Sequence, residues 1–251
     1  MEQKKRKWNW RKILFWFVLV TLIASTAYAV VAIVRAPESL PPGAPFQKVK
    51  WDYVVLLLLC GVGVLCTFLP SMLERKLKLE LPNYMHIAYV MFLYAAIYLG
   101  EVRNFYYDVP QWDTMLHISS GVMLGALGFF VVDLLNRDGK VRMQLSPLFV
   151  AIFAFGFAVT LGTMWEICEF TFDSLFDGNM QKYMLQDRTP LVGQAALLDT
   201  MKDLVVDVLG ALVTCIIGGI AQNRQQKRRD TEEGKAEEAA QGNSLADVCQ
   251  S

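Results

Sequence analysis

The sequence is short of charge. Only 19% of its 251 residues are Asp, Glu, Lys or Arg, against roughly 25% in an average soluble domain. The 24 basic and 24 acidic residues cancel, which excludes a protein that gathers nucleic acid by bulk charge and excludes a highly charged unfolded chain. Histidine is scarcer still, with two residues, His86 and His117. Among five cysteines, Cys60, Cys66, Cys168, Cys215 and Cys249, no pair has C-x-x-C spacing, so neither a disulfide framework nor a thiolate metal site is indicated. Strand-like alternation, a repeat of fixed period and the glycine patterns of nucleotide-binding loops are also missing. What is plentiful is apolar: 54% of residues are hydrophobic, with 15 Phe, 9 Tyr and 6 Trp, and mean hydropathy is +0.33.

Those apolar residues are gathered into spans. A hydrocarbon core about 30 Å thick takes roughly 20 helical residues to cross, and six segments have the length: 13–34, 53–70, 84–100, 114–135, 148–172 and 203–222. Helices are the economical form, because backbone groups in lipid must be paired within each segment. The expected fold class is all-α, a polytopic integral membrane protein built as a six-helix bundle over 13–222. A basic segment, 1–12, precedes it, and a charged tail, 223–251, follows it. The tail has almost no large apolar residues and reads as solvated and disordered.

Orientation follows from lysine and arginine, which are retained on the cytoplasmic side. One set of helix ends carries sixteen of them, in clusters around Lys4–Lys12, Arg75–Lys78, Arg137–Arg142 and Arg224–Arg229. The opposite ends carry seven: Arg35, Lys48, Lys50, Arg103, Lys182, Arg188 and Lys202. Both termini are therefore expected in the cytoplasm of a multi-pass plasma-membrane (inner-membrane) protein. Trp8, Trp10, Trp51 and Trp112 suit interfacial anchors. Ala27-Tyr28-Ala29 has the form of a signal-peptide cleavage site, but the apolar run continues through Val30, Val31 and Val34, which favours a retained anchor. The proline-rich connection with Pro37, Pro41, Pro42 and Pro45 reads as an extended outer loop.

Ionisable groups inside such spans are costly, and by default each marks a functional site. Asp113 and His117 are four apart, hence on one helical face, and the same row continues through Gly121 and Gly125. Glu166, Glu169 and Asp173 form a second stripe, with Gly162 beneath it. Asp199, Asp203 and Asp207 form a third, leading to Gly210; at about 1.5 Å rise per residue, Asp207 lies some 6 Å deeper than Asp203. All three stripes fall at the expected extracytoplasmic ends. So many carboxylates around one imidazole would repel unless a cation or shared protons held them. A divalent cation resolves this most simply, and oxygen ligands with one imidazole suit Mg, Mn, Zn or Ca. Glu166, Glu169, Asp203, Asp207 and His117 are the expected metal ligands, with His117, Asp113 and Glu166 as catalytic candidates.

Blander accounts cover part of this. Asp113 and Asp199 would serve as helix caps or dipole partners, and Asp203 fairly so. Such an account fails for Glu166 and Glu169, near a helix C-terminus. Gly121 and Gly125 fit close helix packing, and His86 fits an interfacial position. Glu101, Arg103, Tyr106 and Tyr107 read as loop residues on the correct side to form a rim.

Taken in order, Trp112-Asp113-x-x-x-His117-x-x-x-Gly121, Trp165-Glu166-x-x-Glu169-x-x-x-Asp173 and Asp199-Thr200-x-x-Asp203-x-x-x-Asp207-x-x-Gly210-Ala211 resemble the YjdF-type family of bacterial inner-membrane proteins. More distantly they are similar to VanZ-like membrane proteins. The resemblance covers about 84–219, and it implies a polytopic bacterial membrane protein without naming a reaction.

Three functions fit the residues. The first is a metal-dependent, membrane-embedded hydrolase or transferase acting on a lipid or lipid-linked substrate, the cation polarising a phosphoryl or carbonyl oxygen while Asp113 poises His117 as a base. Arg103, Lys182, Arg188 and Lys202 are the loose candidates for a phosphate clamp. The second is a cation- or proton-coupled carrier or ligand-binding membrane protein, disfavoured by acids gathered at one face and by the missing internal repeat. The third is a non-catalytic accessory or immunity-type protein. Nucleic acid is not an expected partner of any of them; the lipid bilayer is.

Overall fold

The computed structural model describes residues 9–39, 47–137 and 145–248. Residues 1–8, Pro41, Pro42, Pro45, Lys140, Arg142 and 249–251 lie outside the described residues, and so do the expectations placed on them. The described chain is helical, with an isolated bridge between Met184 and Pro190. Its helices are α1 (Trp10–Arg35), α2 (Lys50–Thr67), α3 (Leu69–Leu77), α4 (Asn83–Leu93, running on as a π-helix over Tyr94–Val102), α5 (Phe105–Asp108), α6 (Trp112–Arg137), α7 (Pro147–Phe176) and α8 (Gln194–Val248). Six helical segments are long and apolar enough to cross a membrane, matching the six expected spans in number and order.

Local chemistry sets several helix ends. Asn9 accepts the Lys12 N–H at 3.2 Å to open α1, and Ser146 accepts the Phe149 N–H at 3.3 Å to open α7, with Pro147 in the first turn, where its missing N–H costs nothing. At the start of α2, Asp52 reaches back to the Val49 N–H at 2.8 Å. Asp177, in the left-handed conformation (φ 50°), stops α7.

Two groups of three spanning helices make up the bundle. In the first, α1, α2 and α4 bury Val18, Leu22 and Val90, and, nearer the other end, Ala29, Leu56 and Cys60. The second group, α6, α7 and α8, packs on small residues. A side chain at Gly121 would run into the Asp207 carbonyl, and one at Gly210 would lie 2.6 Å from the Ile118 carbonyl. A side chain at Gly128 would likewise lie 2.7 Å from the Ala154 Cα. Without a hydrophobic drive between helices in lipid, backbone approach of this kind supplies the packing. Large apolar side chains such as Ile152, Phe170, Val205 and Ile217 point outward, as a lipid-facing surface requires.

Three differences from the sequence expectations bear on the site. The third span does not end at Gly100. Its last turns widen into the π-helix, closed by Arg103 N–H on the Tyr98 carbonyl at 2.9 Å, so Glu101 is carried on the helix rather than in a loop. The sixth helix starts at Gln194, not near 203, which places Asp199 and Asp203 well inside it and removes the capping account of both. The tail expected to be disordered is helix through Val248. Its Ala, Glu, Gln, Lys and Arg residues are strong helix formers, and a helix already nucleated in the membrane is extended without paying for a new first turn.

Candidate functional site

The ionisable residues of α6, α7 and α8 meet at one end of the second group, around His117. The ring is buried, at 6% exposure, and each nitrogen faces its own pair of carboxylates. Nδ1 lies 3.2 Å from Asp207 Oδ2 and 3.8 Å from Glu166 Oε1. Nε2 lies 3.7 Å from Asp203 Oδ2 and 3.8 Å from Asp113 Oδ1. Only the Asp207 contact is close to hydrogen-bond length. The residue that orients the ring is thus Asp207, ninety positions away in sequence, and not Asp113 four positions away on the same helix.

Packing explains why these side chains converge. Gly121 and Gly210 let α6 and α8 approach at the level of Asp207, and Gly162 leaves room on α7 for the Asp207 carboxylate, whose Oδ2 would lie 3.0 Å from any added Cβ. Ser120 Oγ lies 2.6 Å from Asp207 Oδ1 and 2.8 Å from the carbonyl of His117 on its own helix, so its single proton is shared between the two acceptors. Hydroxyls in spanning helices commonly bond back to their own helix, as Ser119 does to the Met115 carbonyl at 2.7 Å. For that reason Ser120 carried no signal in the sequence.

The two nitrogen faces differ in how their carboxylates are satisfied. On the Nδ1 face, Glu166 is 4% exposed and neither of its oxygens has a hydrogen-bond partner. Buried carboxylate oxygens are almost always satisfied, so a pair without hydrogen-bond partners beside an imidazole and a second carboxylate could serve as ligands to a cation. On the Nε2 face, Asp203 is 1% exposed with Oδ1 unpartnered, while Asp113 is countered by Lys182, whose Nζ lies 3.6 Å from Asp113 Oδ2. Ligand atoms of His117, Glu166 and Asp207 lie within 4.8 Å of one another, and so do those of Asp113, His117 and Asp203. Either set could hold one cation.

The remaining expected site residues divide. Glu169 is buried one turn from Glu166, yet belongs to neither set. Asp199 is on the same face of α8 as Asp203, with a buried unpartnered Oδ2. Asp173 is not a ligand position: its oxygens accept the Met180 and Gln181 N–H groups at 2.8 and 2.9 Å and so pin the loop after α7 onto the bundle. Gly125 packs against Thr214, away from the cluster.

That loop supplies Lys182, the cation closest to the cluster. Its ammonium donates to the Met180 carbonyl at 3.1 Å and stands 4.6 Å from the Tyr106 ring centroid. Burial alone would lower its pKa, but Asp113, Asp199, Glu101 and Glu169 outweigh burial and hold it above the ordinary lysine value. Of the other basic candidates, Arg188 is tied to Asp52 and Asp177 at 2.8 and 3.1 Å, and Arg103 is exposed. His86 lies at the opposite end of the first group, packed near Phe15.

Comparison with known proteins bears on the fold and leaves the chemistry open. A family model described as "Predicted membrane protein (DUF2238)" matches residues 14–224, a range that contains every residue of the cluster. Among curated proteins, an "Uncharacterized protein" of Thermotoga maritima is 27% identical over 144 residues, 57% of this chain. The match spans 66% of that protein's length, just under two thirds. No solved structure matches.

Proposed function

The chain belongs to the DUF2238 family of predicted membrane proteins, and from that premise we propose that its cluster is a divalent-cation centre serving a hydrolase or transferase on a lipid or lipid-linked substrate in the plasma membrane. The motif order that resembles YjdF-type proteins supports placing the chain in that bacterial group; a VanZ-like relationship rests on the motif order alone. One observation carries the functional reading: both Glu166 oxygens are buried without partners while facing His117 Nδ1 and Asp207. We assign the cation to this Nδ1 face. Asp113 on the other face already has its charge met by Lys182, and it suits an outer role, together with Asp203, of fixing the ring through Nε2. Histidine ligands regularly have such a carboxylate behind them. A cation held there would polarise a phosphoryl or carbonyl oxygen.

A carrier is favoured by one feature, the placing of a single histidine between four carboxylates, as a proton relay would have it. The cluster lies at one end of the helices, not at mid-span, which favours the enzyme.

Metal content of the protein purified in detergent tests the reading. The expected result is about one Mg, Mn, Zn or Ca per chain in the wild type and loss of it in Glu166→Gln, with Asp187→Asn unchanged. A wild type free of metal whose melting temperature is also unmoved by adding each of the four ions would refute the centre. Uptake into proteoliposomes that follows an imposed proton or cation gradient would favour the carrier instead.

A further inference from the structure

The Nε2 face of His117 has the donors of a second cation site. Asp113, His117 and Asp203 offer ligand atoms within 4.8 Å of one another, and Asp203, at 1% exposure, has Oδ1 buried without a partner. One turn away on the same face of α8, Asp199 also has a buried, unpartnered Oδ2. Against this set stands an ammonium. Lys182 Nζ lies 3.6 Å from Asp113 Oδ2, and the charges acting on it most strongly, Asp113, Asp199, Glu101 and Glu169, come from α6, α8, the π-helix and α7. The backbone aims it there. The two residues before it are pinned, since the Met180 and Gln181 N–H groups donate to Asp173 and the Gln181 side chain donates to Thr200 Oγ1 at 2.9 Å. Lys182 itself then takes the left-handed conformation, at φ 49°, which few residues other than glycine adopt. Its ammonium comes to rest over the Tyr106 ring.

We propose that Lys182 is a tethered counter-ion that takes the second cation position of the cluster, so that the centre accepts one divalent ion, on the Nδ1 face, and uses a fixed ammonium where a two-metal site would hold its second ion. The ammonium already meets the charge of Asp113, and its own charge repels a divalent ion from the carboxylates it faces. A charge carried by the chain is neither diluted nor chelated away. Once it is removed, the carboxylates of Asp113 and Asp203, with Asp199 one turn away, are left to a second ion, and oxygen donors of this kind suit Mn. The first ion comes from the centre proposed above; exclusion of the second depends on Lys182.

Equilibrium dialysis of the full chain in detergent against micromolar to millimolar Mn tests this by counting bound ions. The expected result is about one ion per chain in the wild type, about two in Lys182→Gln, and about one again in Lys182→Arg, which restores the charge. The added ion should be lost in Lys182→Gln/Asp203→Asn, whereas Lys182→Gln/Glu166→Gln should lose the other ion and keep it. A single ion in Lys182→Gln, or two in the wild type, overturns the proposal. If the Lys182 variants fail to fold, Asp173→Ala, which loosens the strap at its two backbone anchors and touches neither ligand set, should admit the second ion at millimolar Mn; a limit of one ion there overturns the proposal equally. One ion in both wild type and Lys182→Gln refutes the tethered counter-ion alone, and none in the wild type with one in Lys182→Gln refutes the Nδ1 centre alone.

Discussion

Ser120 Oγ and Asp207 Oδ1 stand 2.6 Å apart across the α6–α8 contact, shorter than the 2.8 Å to the His117 carbonyl on its own helix, and the proton given to Asp207 fixes which of its oxygens is presented to His117. Removing it leaves every proposed ligand in place and frees the Asp207 carboxylate to rotate. Ser120→Ala should therefore weaken metal binding by about tenfold, the lower end of the range for outer partners of metal ligands, with little change in fold. Ser119→Ala, one position along with its hydroxyl bonded to the Met115 carbonyl and not to Asp207, should leave affinity unchanged. Equilibrium competition with a metal-sensitive dye would measure both.

The glycines of α6 and α8 make a steric prediction. A methyl at Gly121 meets the Asp207 carbonyl, which is backbone and has no room to swing aside, whereas one at Gly156 meets nothing within 4 Å. Gly121→Ala should destabilise the protein by about 1–3 kcal/mol, the usual cost of overpacking, and displace Asp207 from His117. Gly156→Ala should be close to neutral. Thermal unfolding in detergent, read with metal retention, separates the two.

How much of this was readable beforehand depends on the physical signal each residue gives. Asp113, His117, Glu166, Asp203 and Asp207 stood out because charge within an apolar span is costly, and their spacing placed them on helix faces directed alike. Their pairing was not readable. Helical spacing joins Asp113 to His117, but the close partner is Asp207, brought in by three helices meeting over glycines. Asp173 has the same spacing as its neighbours and turns out to hold a loop, because its partners are backbone N–H groups that have no sequence signature. Lys182 sits in a loop without periodicity, so nothing in the sequence could direct it at Asp113. Glu101 was set beyond a helix end because a widened π-turn is invisible to a pattern of 3.6.

Lys182 also gives a pH prediction. Its folded pKa is raised, so its contribution to stability is complete below the unfolded lysine value of about 10.4 and is lost as pH rises through the folded value. The difference in melting temperature between wild type and Lys182→Gln should thus be flat from pH 8 to 10 and narrow only above that. A difference that fades between pH 8 and 9 would show that the ammonium is not held by the surrounding carboxylates.

Orientation is the last prediction, and it decides which leaflet the cluster would serve. The basic excess at one set of helix ends predicts that the N-terminus and α8's long extension are in the cytoplasm and that the loop from Asp177 to Gly193, with the cluster beneath it, is outside. Asp187 is the natural reporter: it lies in that loop, and its carboxyl is held below the usual value by the backbone N–H and side chain of Thr189 without touching the cluster. In a background with Cys168→Ser and Cys249→Ser, Asp187→Cys should react with a membrane-impermeant maleimide on intact cells, and a cysteine at Gln225 should react only after the cells are opened. The reverse pattern would move the cluster to the cytoplasmic leaflet. Because the helix packing that builds the site does not depend on which way the bundle is inserted, that outcome would change the pool of lipid available to the cluster and leave the proposed chemistry as it stands.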